Sequence, residues 1–390
     1  MEYNFDKVYD RMGSDSIKWE KQLKFGVPSG LTPFWIADTD FATLPQAVEA
    51  MRARLEHPIF GYTFTPEKVL EAVQGWYKRR HGVDLPVSAY AAAHGVVTSI
   101  WFSIRAFTQE GDGVLVSTPV YDPFFVVIED QNRKKVDCPL VYEDGAYHID
   151  WEQLDAKLAT VKAMIFCNPH NPTGNVWTAQ EVERVVQLCK KHDVWLFSDE
   201  IHGDVALYGN RCTSAAQFAA EYDKMVVYTA ISKTFNMAGL ESSCNIIPNP
   251  DYKAALVNCM HGAWLMGPNC MANPAIAACY TYGDEWVDQM NAYLTENAEY
   301  VIHTLAEKAP AIKVVKPQGT YLMWLDFNAF GMTSKQITDE LVKEYGVAVG
   351  DGSGYGNAEG FIRFNIGCPR ATLEKGVEAL CRFAASKKER

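Results

Sequence analysis

This sequence lacks several features that would each have named a class of protein. It has ten cysteines but no Cys-x-x-Cys pair, and no Cys and His stand at zinc-site spacing. Neither a disulfide framework nor a metal centre is therefore expected. Cys167, Cys189, Cys279 and Cys381 sit in apolar runs, where a free thiol behaves as a small hydrophobe. Reduced thiols and a cytoplasmic chain are expected. Positive charge is scarce, with 36 Lys and Arg against 48 Asp and Glu, a net charge of −12. Phosphate-backbone contacts need clustered cations, so no nucleic-acid partner is expected. The short clusters Lys78, Arg79, Arg80 and Lys387, Lys388 read as solvated helix ends. No run approaches the roughly 20 apolar residues of a membrane helix, so no membrane partner is expected. The start, Met1-Glu2-Tyr3-Asn4, has no basic stretch leading into an apolar one, so no signal peptide is expected. Internal repeats and low-complexity segments are also missing.

What is present is a long, apolar-rich chain. With 390 residues, 48% of them hydrophobic, it exceeds one average domain and predicts two. Apolar runs at 113–117, 163–167, 194–198, 225–228 and 244–247 read as strands buried on both faces of a mostly parallel sheet. Helical periods separate them. Thr178 and Glu181 form a capping-box pattern ahead of Val182, Val185, Val186 and Cys189, which makes a βαβ unit. Thr65-Pro66 reads as a cap followed by a first-turn proline, with Leu70, Val73 and Trp76 as the apolar stripe. From about residue 285 the pattern changes to a long helix over 286–309, strands at 313–315 and 321–326, and helices over 334–345 and 372–385. The expectation is an α/β fold with a large domain over 51–285, a small C-terminal domain over 286–390, and an N-terminal segment, 1–50, associated with the small one.

Four segments place polar groups just beyond strand candidates, where open α/β sheets bind ligands. Ala230-Ile231-Ser232-Lys233-Thr234-Phe235-Asn236 carries a lysine that becomes nucleophilic if burial or a nearby cation lowers its pKa. The same lysine also reads as exposed in a loop. Phe197-Ser198-Asp199-Glu200-Ile201-His202 ends an apolar strand in a carboxylate that would be desolvated unless paired. Asp199 equally reads as a helix cap. Cys167-Asn168-Pro169-His170-Asn171-Pro172-Thr173-Gly174 is a stiff loop with two Asn-Pro steps, either a plain turn or a holder for a side-chain amide. His94-Gly95-Val96-Val97-Thr98-Ser99 puts a glycine before a helix start, which suits a phosphate but is weak for a single glycine.

Taken together and in this order, the segments resemble the fold-type I pyridoxal-5′-phosphate (PLP) enzymes, the aspartate aminotransferase-like class of the class I/II aminotransferase superfamily. The chain is most similar to their MalY/PatB-like cystathionine β-lyase (C–S lyase) branch. Supporting strings include Phe34-Trp35-Ile36-Ala37-Asp38-Thr39-Asp40-Phe41, Phe60-Gly61-Tyr62-Thr63, Thr118-Pro119-Val120-Tyr121 and Phe361-Ile362-Arg363-Phe364-Asn365. The resemblance implies that Lys233 carries PLP as a Schiff base and serves as acid and base at the substrate Cα. Asp199 would pair with the pyridine nitrogen, Asn171 with the ring oxygen, and Tyr121 would stack on the ring. His202 would lie near the same oxygen. Gly95, Val96 and Val97, with the Ser232 hydroxyl, would hold the phosphate. Tyr62 would reach that phosphate from a neighbouring subunit, which implies a homodimer. Arg363, with Asn171, would bind the substrate carboxylate through a planar fork.

The implied reaction is α,β-elimination of cystathionine or another S-substituted cysteine to a thiol, pyruvate and ammonia. Transamination would use the same residues. A regulatory protein partner, as some relatives of the branch have, is a role of another class. The string also departs from its family. Glu241 stands where many aminotransferases have a phosphate-binding Arg, Ala230 where a hydroxyl residue is frequent, Thr39 where the branch usually has Met, and His94 where Pro or Ser is common.

Overall fold

The expected apolar runs fold as the strands Gly113–Val116, Ala163–Cys167, Trp195–Asp199, Met225–Thr229 and Ser243–Ile246. This computed structural model describes residues 1–388 except Pro28, and of Lys388 only the backbone. The side chain of Lys388 and residues 389–390, the end of the expected small domain, lie outside the described residues. Two further strands, Tyr90–Ala93 and Lys134–Asp137, complete a seven-stranded sheet. Across the sheet the strands begin at residues 90, 243, 225, 195, 163, 113 and 134 in turn. Neighbours run parallel except Ser243–Ile246, which is antiparallel to both of its partners.

The continuous apolar runs have a physical cause. Strand side chains alternate between faces. Val114, Val116, Ile165 and Phe197 enter one core cluster, while Leu115, Met164, Phe166 and Leu196 enter the other. Helices cover both faces, so both sets must be apolar. Val96–Phe107, Pro123–Glu129 and Pro250–His261 cover one side, and Glu67–His81, Ala179–His192 and Ala272–Tyr282 the other.

The helix Ala179–His192 shows how local sequence sets an element. Thr178 and Glu181 make both bonds of the capping box, and Asp193 closes the helix at φ 55°. Val182, Val185, Val186 and Cys189 are buried on one face, each aliphatic one contributing roughly 1.5–3 kcal/mol. Val185→Asp would bury an unpaired charge there and break the packing.

The second helix start needs a correction. Pro66 has ψ 147° and lies outside the helix as its cap, which begins at Glu67 and has no side-chain cap bond. Val69, Val73, Trp76 and Tyr77 form the buried stripe, and Leu70 is half-buried at its edge. The last helix likewise starts at Arg370 rather than at residue 372.

The second sheet has the order Thr32–Phe34, Val347–Asp351, Phe361–Asn365, Leu322–Asp326 and Lys313–Val315. The N-terminal strand Thr32–Phe34 pairs parallel to Val347–Asp351. Phe5 lies among Phe41, Trp286 and Tyr293 at ring distances of 5.1, 5.6 and 5.6 Å. The expected boundary at 50/51 falls inside the helix Pro45–Leu55, and that at 285/286 inside Asp284–Lys308. The result is a large mixed sheet between helices, with a smaller C-terminal α/β domain beside it. No helix among the described residues is long and apolar enough to cross a membrane.

Candidate active site

Parallel pairing sends the carboxyl ends of Gly113–Val116, Ala163–Cys167, Trp195–Asp199 and Met225–Thr229 to the same edge of the large sheet. Tyr90–Ala93 ends there too, because two antiparallel pairings in succession restore its direction. Asp199 ends its strand there, and the segments that follow the strands carry Tyr121, Asn171, His202, Lys233 and Gly95. A cleft of about 1080 Å³ opens at this edge, with Tyr121, Lys233, Glu241, Trp35, Tyr355 and Arg363 among its walls.

Lys233 sits in the one-turn helix Ile231–Thr234 and is half-buried. Its Nζ donates to the Ala37 carbonyl at 2.7 Å. Burial, reinforced by the charge of Arg363, pulls its pKa down to about 8, against the opposing fields of Asp38 and Asp199. A large neutral fraction is therefore available near pH 8.

Asp199 is the last residue of its strand and 4% exposed. One carboxylate oxygen accepts from the Ile201 N–H at 3.0 Å, the only hydrogen bond to this side chain among the described residues. Burial pushes its pKa up to about 6, offset in part by the Ile201 N–H and the charge of Lys233. His202 is buried with no partner for Nδ1. Burial, Lys233 and Arg363 all depress its pKa, so the ring is neutral.

Arg363 lies on the small sheet and is 6% exposed. It donates to Asn171 Oδ1 at 3.1 Å and to the Trp35 carbonyl at 2.9 Å. Its Nε has no partner. No carboxylate pairs with it among the described residues, although its guanidinium lies 5.1 Å from the Tyr355 ring centre. Because Asn171 spends its oxygen on Arg363, its amide N–H₂ remains the group free to donate. Tyr121 is half-buried, and burial pushes its phenol up to about 12, so the ring stays neutral.

Gly95 caps the helix Val96–Phe107 at φ 130°, a conformation only glycine adopts readily. Its N–H donates to Ser243 Oγ at 3.0 Å. The first-turn N–H groups that follow, those of Val96 and Val97 among them, have no acceptor within their own helix. Ser232 is buried beside Lys233.

The structure does not bring Tyr62 to this cleft. It is fully exposed and lines a separate cavity with Phe64 and Asn273. Glu241, at φ 47°, is exposed and lines the cleft. The half-buried His94 has no partner for Nδ1.

Residue-by-residue reading missed the strand-to-loop segment 35–39. Its carbonyls accept from Arg363 at Trp35, from Asn365 at Ile36, and from Lys233 and Tyr321 at Ala37. Backbone carbonyls leave no residue-type signal. The conspicuous string Trp35-Ile36-Ala37-Asp38 was the only pointer to them.

Residues 32–380 match the model of the family "Aminotransferase class I and II". The chain is 40% identical over 382 residues to cystathionine β-lyase PatB of Bacillus subtilis, covering 97% of this chain and 98% of that one. It is 34% identical to protein MalY of Escherichia coli over 97% of this chain and 98% of that one. Among solved structures it resembles cystalysin of Treponema denticola, which contains a pyridoxal 5′-phosphate cofactor, with TM-score 0.95, 32% identity and full coverage of both chains.

Proposed function

The chain belongs to the aminotransferase class I and II family, and we propose that within it this protein is a PLP-dependent C–S lyase acting on cystathionine or a related S-substituted cysteine. The observation that carries this reading is that Lys233 and Arg363 share one cleft and, among the described residues, no carboxylate is bonded to either. A protein does not keep such a pair together unless ligand chemistry requires it.

The residues fit PLP. The under-supplied carboxylate of Asp199 can take a cationic ring nitrogen. The helix start at Gly95, Val96 and Val97, with Ser232, can take a phosphate. The amide of Asn171 can donate to a ring oxygen, with His202 close to the same edge, and Tyr121 can offer a ring face. Lys233 supplies the amine that carries the cofactor. Bound there, PLP supplies an electron sink for charge developing at the substrate Cα.

The chain's own groups do the rest. Arg363 presents Nε and its remaining N–H bonds to a planar α-carboxylate. Its bonds to Asn171 and to the Trp35 carbonyl fix the plane of the fork. The Lys233 amine, its pKa pulled down to about 8, has a large neutral fraction near pH 8 and can take the Cα proton. Residues 35–38 form one wall of the cleft. Loss of the β-thiolate, then hydrolysis, gives thiol, pyruvate and ammonia.

The exposed Ile59, Phe60, Tyr62 and Phe64 are read as a surface covered by a second copy, from which Tyr62 would reach the phosphate. A cytoplasmic location is part of the same reading, supported by the ten free cysteines.

The test is purified, PLP-loaded protein incubated with cystathionine, following thiol and pyruvate. Equimolar thiol and pyruvate without an added 2-oxo acid are expected. Amino-group transfer to 2-oxoglutarate with the C–S bond intact would make the protein an aminotransferase instead.

A further inference from the structure

We infer that Asp204 and Thr234 are positioning residues that fix Lys233 by clamping its one-turn helix to the loop that carries Asp199. This rests on the functional reading above and names residues that touch neither substrate nor cofactor.

The turn Ile231–Thr234 is only four residues long. A single helical turn does not hold its own shape, because nucleation is unfavourable. Its orientation must come from outside. Thr234, next to Lys233, is 1% exposed and donates its hydroxyl to Asp204 Oδ2 at 3.0 Å. The other oxygen, Oδ1, accepts from Trp76 Nε1 and lies against His81 Nε2, both at 2.9 Å. The Asp204 carbonyl accepts from Asn291 Nδ2 at 2.8 Å. Asp204 is therefore anchored to the helices Glu67–His81 and Asp284–Lys308.

Two residues beyond Thr234, just past the same end of the turn, the chain is tied differently. Asn236 exchanges bonds with segment 39–41, accepting from the Thr39 N–H and donating to the Thr39 and Phe41 carbonyls. Segment 35–39 is the same stretch whose Ala37 carbonyl holds the Lys233 Nζ. Lys233 is thus followed directly by two tethers, one running through Thr234 to Asp204 and one through Asn236 to the N-terminal segment. The first is the stiffer, because its acceptor is buried, ionised and bonded three ways.

A displacement of about 1 Å in a reacting group can cost roughly 100-fold in rate. Losing the Thr234 tether therefore affects the chemical step more than substrate binding, since Arg363 is held by other residues.

The test uses the full PLP-loaded chain as Thr234→Val, which keeps the shape without the hydroxyl, and Thr234→Ser, which keeps the hydroxyl. Four quantities are read: kcat, KM for cystathionine, the pH midpoint of the visible absorbance of the loaded protein, and the melting temperature. For Thr234→Val, kcat is expected to fall roughly tenfold or more, KM to stay within about threefold, and the absorbance midpoint to move. For Thr234→Ser, kcat and the midpoint are expected to return close to the parent's. A Thr234→Val protein with parental kcat and midpoint would overturn the inference, whatever its melting temperature. So would a serine variant that melts like the parent but restores neither quantity. A parent that shows no visible absorbance with PLP would overturn the functional reading, and this inference with it.

Discussion

Two buried carboxylates stand at the two ends of one loop, and they are treated in opposite ways. Asp199 is 4% exposed and has one hydrogen bond, and burial raises its pKa to about 6. Asp204 is 6% exposed and meets Trp76, His81 and Thr234. Burial opposes its ionisation too, but the hydrogen bond and charge of His81, with Arg80 and Trp76, outweigh it and lower its pKa. Burial is nearly equal, so the difference lies in the partners. A carboxylate whose partners are all protein groups belongs to the scaffold. One that is buried and left short is shaped for a cation the chain does not itself provide.

Substitution by the neutral isostere should separate the two. The largest effect is expected on turnover in Asp199→Asn, about 1,000-fold or more in kcat, because the electron sink loses its anionic partner. The same change should stabilise the cofactor-free chain. Its folded pKa lies above the ordinary carboxylate value, so the native state binds the proton more tightly, and stability falls as pH rises from about 4 to 6. Above pH 6 the full cost remains, and asparagine removes roughly 2–3 kcal/mol of it. Chemical denaturation at pH 4 and pH 7 would show the gain only at pH 7.

Asp204→Asn should have the opposite sign in stability. Its folded pKa is lowered, so its contribution is present above the ordinary value and is lost as pH falls through the folded one. At pH 7 the variant should lose about 3 kcal/mol, because His81 is left buried without its partner. The same denaturation series measures this loss, which should shrink toward acid pH. Equal signs for the two variants would remove the distinction between them.

Much of this fold was legible because burial on both faces writes continuous apolar runs, and a capping box writes a helix start. The run at 163–167 was readable to the residue for the first reason, and the start of the helix Ala179–His192 for the second. Lys134–Asp137 escaped because it is an edge strand with two exposed lysines and carries no apolar run. Pro66 misled because proline suits both the cap and the first turn, and only its ψ tells them apart. At the site, Lys233, Asp199 and Asn171 stood out as chemistry-bearing types beyond strand candidates, while Arg363, in the middle of its strand, was pointed to by the family resemblance alone. The Ala37 carbonyl could not, since every residue has one. Asp204 carried no role in the sequence reading, because its role depends on Trp76 and His81, more than 120 residues away in the chain.

The central claim is tested most directly by finding where the coenzyme attaches. PLP-loaded protein would be reduced with borohydride, digested and mapped by mass. The account predicts one stable adduct, on the Nζ of Lys233, and none in Lys233→Ala. An adduct on another lysine, or none in the parent protein, would contradict it.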